Sequence, residues 1–155
     1  MNSFGTNEDI NRIVKTYSNS LLKTAFAILQ STSDAEDAVQ EAFLKLISKQ
    51  PKFNDKEHEK SWLLRVTINI SKNMLKASGR KNLPITEDIT YENDQPSEIL
   101  NCVFALPERY RTVIHLYYYE GYSIKEIASI LKLPSATVGT RLARARNLLK
   151  GEISE

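Results

Sequence analysis

An all-α fold, arranged as two small helical domains joined by a flexible linker, is what this sequence predicts. Three observations carry that reading. Apolar residues recur at helical spacing through most of the chain, glycine and proline occur only five times each in 155 residues, and the stretch 79–96 holds no sustained period. The expected layout is a first domain over 1–78, a linker over 79–96 and a second domain over 97–155 that ends in a helix-turn-helix.

The first helix is expected over about residues 8–30, with Ile10, Ile13, Val14, Tyr17, Leu21, Ala25 and Ile28 on its apolar stripe. The second covers 33–49, opened by Ser33 and Glu36 as a capping box, with Ala35, Ala38, Val39, Ala42, Phe43, Leu46 and Ile47 facing inward. Its other face presents Asp34, Asp37, Gln40, Glu41, Leu44 and Lys45. A polar loop from Gln50 to Lys56 carries one aromatic, Phe53, and leads to a third helix over 57–77. On that helix Arg65, Asn69, Lys72, Asn73 and Lys76 fall into one polar and basic stripe. Trp62, flanked by Leu63 and Val66, reads as core, with support of the preceding loop as the alternative.

Residues 79–96 mix Gly, Pro, Asn and acids and read as the linker. Beyond it Pro107 suits the first turn of a helix reaching about Tyr119, which Gly121 closes. Two short helical patterns then meet at a turn. Ser123 and Glu126 form a capping box ahead of Ile124, Ile127, Ala128 and Leu131; Lys132, Leu133 and Pro134 interrupt the pattern, and Ser135 is placed to cap the next helix. That last helix turns Val138, Leu142, Ala145 and Leu149 inward and Ala136, Thr140, Ala143 and Asn147 outward, with Arg141, Arg144 and Arg146 at the margins. A helix that is small and polar outside and rimmed by guanidinium groups suits the DNA major groove. An amphipathic hairpin within a bundle has the same pattern.

Composition excludes several classes. No apolar run approaches membrane-spanning length and the N-terminus lacks the basic and apolar regions of a signal peptide, so a cytoplasmic protein without membrane insertion is expected. The single cysteine, Cys102, allows no internal disulfide, and with His58 and His115 it makes no metal-ligand cluster. There is no nucleophile–base pair and no phosphate-binding glycine loop, so neither an enzyme nor a cofactor is expected. The net charge of +2 is too small to announce nucleic-acid binding, but its distribution is uneven. Residues 1–78 hold 11 basic and 9 acidic side chains, 79–96 hold 2 and 4, and 97–155 hold 8 and 6.

Four stretches in order, Asp34-Ala-Glu-Asp-Ala-Val-Gln-Glu-Ala-Phe-Leu-Lys-Leu46, Trp62-Leu-Leu-Arg-Val-Thr-Ile-Asn-Ile-Ser-Lys-Asn73, Leu106-Pro-Glu-Arg-Tyr-Arg111 and the terminal helix-turn-helix, resemble bacterial sigma factors of the extracytoplasmic-function group. The resemblance spans nearly the whole chain. It implies a non-catalytic subunit that binds core RNA polymerase and directs it to promoter DNA, and an anti-sigma factor that holds it inactive. By the same resemblance, the second helix would grip a coiled coil of the largest polymerase subunit through Asp34, Asp37, Gln40, Glu41 and Leu44. Asn69, Asn73 and the loop of Phe53, Asn54 and Lys56 would receive an unstacked minus-10 base, with Arg65, Lys72 and Lys76 on the strand. At minus-35, Ala136, Thr140, Ala143 and Arg144 would meet bases while Lys132, Arg141 and Arg146 engage phosphates. The chain departs from the family at Gly139, where a basic residue is frequent. The competing reading is a free-standing helix-turn-helix regulator that binds its operator as a dimer.

Overall fold

The computed structural model describes residues 7–79 and 98–153; of the expected linker over 79–96, residues 80–96 lie outside the described residues. Every described element is helical: α1 (Asn7–Leu29), α2 (Thr32–Lys49), α3 (Lys56–Ser78), α4 (Glu98–Ala105), α5 (Glu108–Ile114), a π-helical turn (His115–Tyr119), α6 (Ile124–Leu131) and α7 (Ser135–Ile153). Among the described residues no helix is long and apolar enough to cross a membrane.

Helices α1, α2 and α3 pack against one another as a three-helix unit. Their core is the sequence-predicted stripe: Ile13, Tyr17, Leu21, Ala25 and Ile28 meet Ala35, Ala38, Val39, Ala42 and Leu46, with Leu63, Leu64 and Ile68 closing the third side. A buried carboxylate ties α1 to α3. Arg12 donates to both oxygens of Glu59 (Nη1 to Oε1 3.2 Å, Nη2 to Oε2 3.0 Å) and the Tyr17 hydroxyl donates to Oε1 at 2.8 Å. Burial, then the Glu59 hydrogen bond and charge, push the Tyr17 phenol up to about 12.

The connections are set by backbone that only certain termini accept. Gln30 (φ 57) and Gln50 (φ 46) end α1 and α2 in the left-handed region, and Gly79 (φ 74) ends α3. Because α1 stops before Gln30, α2 starts earlier than its capping box suggested. Ser31, not Ser33, is the N-cap, its side chain accepting from the Asp34 N–H.

In the second unit α7 packs on α4, α5 and α6. Pro107 stands at the N-cap of α5, one place before the first turn expected for it. The helix continues as a π turn, in which the Glu120 N–H reaches the His115 carbonyl and the Tyr122 N–H that of Leu116, both at 3.0 Å, until Gly121 (φ 80) ends it. The capping box is present as expected: Glu126 N–H to Ser123 Oγ 3.1 Å, and Ser123 N–H to Glu126 Oε1 2.9 Å. Lys132 (φ 58) makes the turn of the helix-turn-helix. Ser135 does not cap α7; it is already helical, and the Pro134 carbonyl accepts from Thr137 and Val138. Val138, Leu142 and Ala145 are fully buried, as is Ile127, and Ile130 joins them.

The two units touch. α5 and the π turn pack on α1, and α6 packs on α3. As a result the last turns of α1 are buried all round: Thr24, Ala25, Phe26, Ala27, Ile28 and Leu29 all lie inside. Phe26 meets Phe104 edge to face at 5.5 Å. Arg111 is fully buried and donates to three carbonyls, Ala27 (2.6 Å), Ile28 (2.7 Å) and Leu106 (2.5 Å), so it satisfies two free carbonyls at the end of α1. Burial lowers its guanidinium to about 10, with Glu108 opposing.

Glu120 is the second polar tie. It accepts from Ser20 Oγ (2.6 Å) and Lys60 Nζ (3.0 Å), and His115 Nε2 lies 3.7 Å away while also bonding Thr24 Oγ1 at 2.9 Å. Burial alone would raise this carboxyl, but hydrogen bonds from His115, Ser20 and Lys60 and the Lys60 charge together hold it at about 2, against an ordinary 4.5. The folded state therefore binds fewer protons than the unfolded chain between these values. Glu120 contributes its full stability above about pH 4.5, and that contribution is lost as pH falls through about 2. Urea midpoints followed from about pH 5 to pH 2 should decline less steeply in Glu120→Gln than in the parent; parallel declines would show the tie contributes nothing.

Candidate protein and nucleic-acid interfaces

Three separate surfaces carry the expected binding residues. On α2, Asp37, Gln40, Glu41 and Lys45 are exposed and surround Leu44, which is 59% exposed. Asp34 is half-buried at the capped end. Ile47, expected in the core, is 38% exposed and lies one turn beyond Leu44, so the α2 face is more apolar than the sequence suggested. An exposed apolar pair ringed by acids and an amide is the composition of a protein-binding patch.

The loop before α3 is built from its own side chains. Asp55 caps the helix by accepting from the His58 N–H at 2.8 Å, and the Asn54 N–H donates to His58 Nδ1 at 3.1 Å. Phe53 is 8% exposed, its ring edge-on to His58 (5.2 Å) and Trp62 (5.8 Å). The Phe53 ring, expected beside the unstacked base, is largely enclosed by His58 and Trp62 and helps to hold the loop. Asn54 and Lys56 remain exposed, and Trp62 packs partly buried against the core as its neighbours implied. His58 was not anticipated as a loop organiser. Its position three residues after an N-cap aspartate was the available signal.

Along α3, Asn69, Asn73 and Lys76 are exposed, but Arg65 and Lys72 are half-buried. Arg65 donates from Nε to the Ile130 carbonyl (3.4 Å) and from Nη2 to that of Ser129 (3.3 Å), both at the end of α6. Lys72 pairs with Glu108 of α5 at 3.7 Å.

On α7, Ala136, Thr140, Ala143 and Arg144 are exposed, with Arg141 half-buried beside them and Lys132 exposed at the turn. A concavity of about 360 Å³ opens here, lined by Arg109, Tyr110, Ala136, Thr137, Thr140, Arg141 and Arg144. Among the described residues none of its three arginines forms a salt bridge. Converging guanidinium groups without a carboxylate favour an anion from outside. Arg109 was missed because it sits on α5, away from the helix-turn-helix; it and, less strongly, Arg144 hold the Tyr110 phenol below its usual value. Arg146, expected on a phosphate, is exposed and engages two tyrosines. It donates to the Tyr118 hydroxyl at 2.7 Å and lies over the rings of Tyr117 and Tyr118 at 5.4 and 5.6 Å. Tyr118 and Tyr119 are exposed at their edges, and Tyr119 stacks on His115 at 5.0 Å.

Gly139 has open space where a Cβ would stand and no positive φ, so packing does not require glycine. Gly139→Ala should stabilise α7 by about 1 kcal/mol, read as a higher melting temperature. Gly139→Arg should strengthen duplex binding and steepen the dependence of log affinity on log salt by about 0.9 if one phosphate is contacted; an unchanged slope would place residue 139 off the DNA.

Comparison with known proteins gives these surfaces a family. Sigma-70 region 2 matches residues 13–81 and Sigma-70 region 4 matches residues 97–149. The chain is 33% identical to the ECF RNA polymerase sigma-E factor of Haemophilus influenzae, over 96% of this chain and 89% of that protein, and 26% identical to the ECF RNA polymerase sigma factor SigW of Bacillus subtilis, over 92% and 88%. Its fold matches the sigma factor RpoE of Bartonella quintana, solved in complex with the anti-sigma factor NepR, with a TM-score of 0.78 at 21% identity over 96% of this chain and 99% of that one. With both family regions in order, the described helices in the matching fold and a relative one-third identical along almost its full length, the chain belongs to the extracytoplasmic-function RNA polymerase sigma factors of the sigma-70 family.

Proposed function

We propose that this sigma factor divides promoter recognition between its two helical units, 1–78 for core polymerase and the minus-10 element and 97–155 for the minus-35 element. The observation that carries the division is the separation of three chemically distinct surfaces: the acid-ringed Leu44 and Ile47 of α2, the amide and cation stripe of α3, and the carboxylate-free arginine concavity beside α7. Asp37, Gln40, Glu41 and Leu44, with Asp34 at their edge, bind the polymerase. Asn69 and Asn73, whose amides both donate and accept, take base edges of the unpaired strand, and Asn54, Lys56 and Lys76 follow its backbone. In the major groove Ala136, Thr140 and Ala143 present small groups to thymine methyls, and Arg144 has the bidentate geometry for guanine. Arg141, Arg109 and Lys132 neutralise phosphates.

Opening promoter DNA costs roughly 1.4 kcal/mol per base-pair step, which capture of a single strand must offset. The sigma factor supplies that capture as a non-catalytic part of holoenzyme, and phosphodiester chemistry belongs to the polymerase. The relatives solved with anti-sigma factors support a similar inhibitory partner for this chain. Core polymerase incubated with and without the purified chain, followed by sequencing of the transcripts, tests the function: promoter-specific starts should require the chain. Arg144→Ala should weaken minus-35 duplex binding by about 1–3 kcal/mol and leave core affinity unchanged; equal loss of both would displace Arg144 from the groove.

A further inference from the structure

Three cations of α3 meet the C-terminal unit: Lys60 pairs with Glu120, Arg65 binds the carbonyls of Ser129 and Ile130, and Lys72 pairs with Glu108. Two of them, Arg65 and Lys72, lie in the stripe assigned above to the minus-10 strand, and nucleic acid and the C-terminal helices cannot use them together. Distance makes the conflict sharper. The minus-10 and minus-35 elements are about 25 base pairs apart, or about 85 Å at 3.4 Å per step. Units held at hydrogen-bonding distance cannot lie on both.

The contact is also of a kind that can open. Beside the buried apolar end of α1 and the Phe26–Phe104 pair, its polar ties are Arg111 on the α1 carbonyls, Glu120 among Ser20, Lys60 and His115, and the Gln30 side chain donating to the Phe104 carbonyl. Charged groups desolvated here regain water on separation, which lowers the cost of parting relative to an apolar interface.

We propose that the docked arrangement is a self-inhibited state, in which the chain's own C-terminal unit occupies part of the minus-10 stripe and must leave before the promoter is read. This rests on the assignment of α3 to the minus-10 strand. Charge reversal tests it in the full-length chain. Lys60→Glu faces Glu120 with a carboxylate, Glu120→Lys faces Lys60 with an ammonium, and the double variant restores an opposite pair.

Each single variant should enlarge the radius of gyration with helical circular dichroism retained, and should tighten binding of a labelled single strand carrying the non-template minus-10 region of a promoter found by the transcript sequencing. A gain of about tenfold is expected if closed molecules outnumber open ones by about ten to one, and the double variant should return both readings toward the parent. Ser20→Glu, which sets a second carboxylate against Glu120, should open the chain in the same way and serves if a reversal variant does not fold. An unchanged radius in the folded single variants, or an increase that the double variant does not reverse, overturns the closure. A larger radius with unchanged strand affinity overturns the inhibition. If the parent supports no promoter-specific transcription, the polymerase reading fails, while the radius still decides whether the chain closes.

Discussion

Replacing Arg111 with alanine should cost about 3 kcal/mol, because buried acceptors are left without their charged donor. The guanidinium is fully buried and meets three carbonyls at 2.5–2.7 Å, two of them at the end of α1 and one, Leu106, within its own unit. Alanine leaves all three without a donor and leaves a gap the size of the side chain. The loss has a physical ceiling, because the units can part and let water reach the Ala27 and Ile28 carbonyls, whereas the Leu106 carbonyl loses a bond that belongs to its own domain. Arg111→Ala should therefore show both a lower urea midpoint and a larger radius of gyration. Arg111→Lys keeps the charge but presents one ammonium to three acceptors in a fork, so it should fall between the parent and alanine. A parental midpoint and radius in the alanine variant would mean that the buried guanidinium contributes nothing net, its hydrogen bonds being offset by its own desolvation.

How much of this was legible beforehand depends on the range of the interaction. The helices of the first unit were readable to within a residue or two because each carries a complete apolar stripe, and the Ser123–Glu126 capping box and the Gly121 stop are local devices. The start of α2 was misplaced because Ser31 and Ser33 are chemically equal candidates; only the left-handed Gln30 decides between them. The π turn had no sequence signature. Docking of the two units was signalled but not used: Thr24-Ala-Phe-Ala-Ile-Leu29 is apolar on every side, which a one-sided helix does not need, and a helix apolar all round is a buried one.

The site residues divide the same way. Asn69, Asn73, Thr140 and Arg144 stand exposed where periodicity put them, since a face opposite a core is settled by the core. Phe53, Arg65, Lys72 and Arg146 are each engaged by a partner distant in sequence or by a neighbouring loop, and spacing along one helix says nothing about what another helix brings to it. Arg109 shows the converse: an exposed arginine on a helix outside the motif reaches the recognition helix only through the packing of α5 on α7.

Leu44→Asp should lower core polymerase affinity about 30-fold or more, the loss expected when a central apolar anchor worth about 2 kcal/mol is replaced by a charge. Leu44 is 59% exposed and its neighbours Asp37, Gln40 and Glu41 are polar, so the free chain loses little buried surface and its unfolding free energy should change by no more than about 0.5 kcal/mol. An interface that has to desolvate this patch meets a different balance. The leucine offers apolar area at no desolvation cost, whereas an aspartate there adds a third carboxylate beside Asp37 and Glu41 and must itself be stripped of water. Ile47→Asp should do the same to a smaller degree, being less exposed and one turn from the polar ring. Binding of the minus-35 duplex should be unaffected in both variants, because α2 packs on α1 and α3 whereas α7 packs on α4, α5 and α6. Unchanged core affinity in Leu44→Asp, with the chain folded, would move the polymerase surface off α2; a matching loss of duplex binding would show that α2 and α7 do not act as separate surfaces.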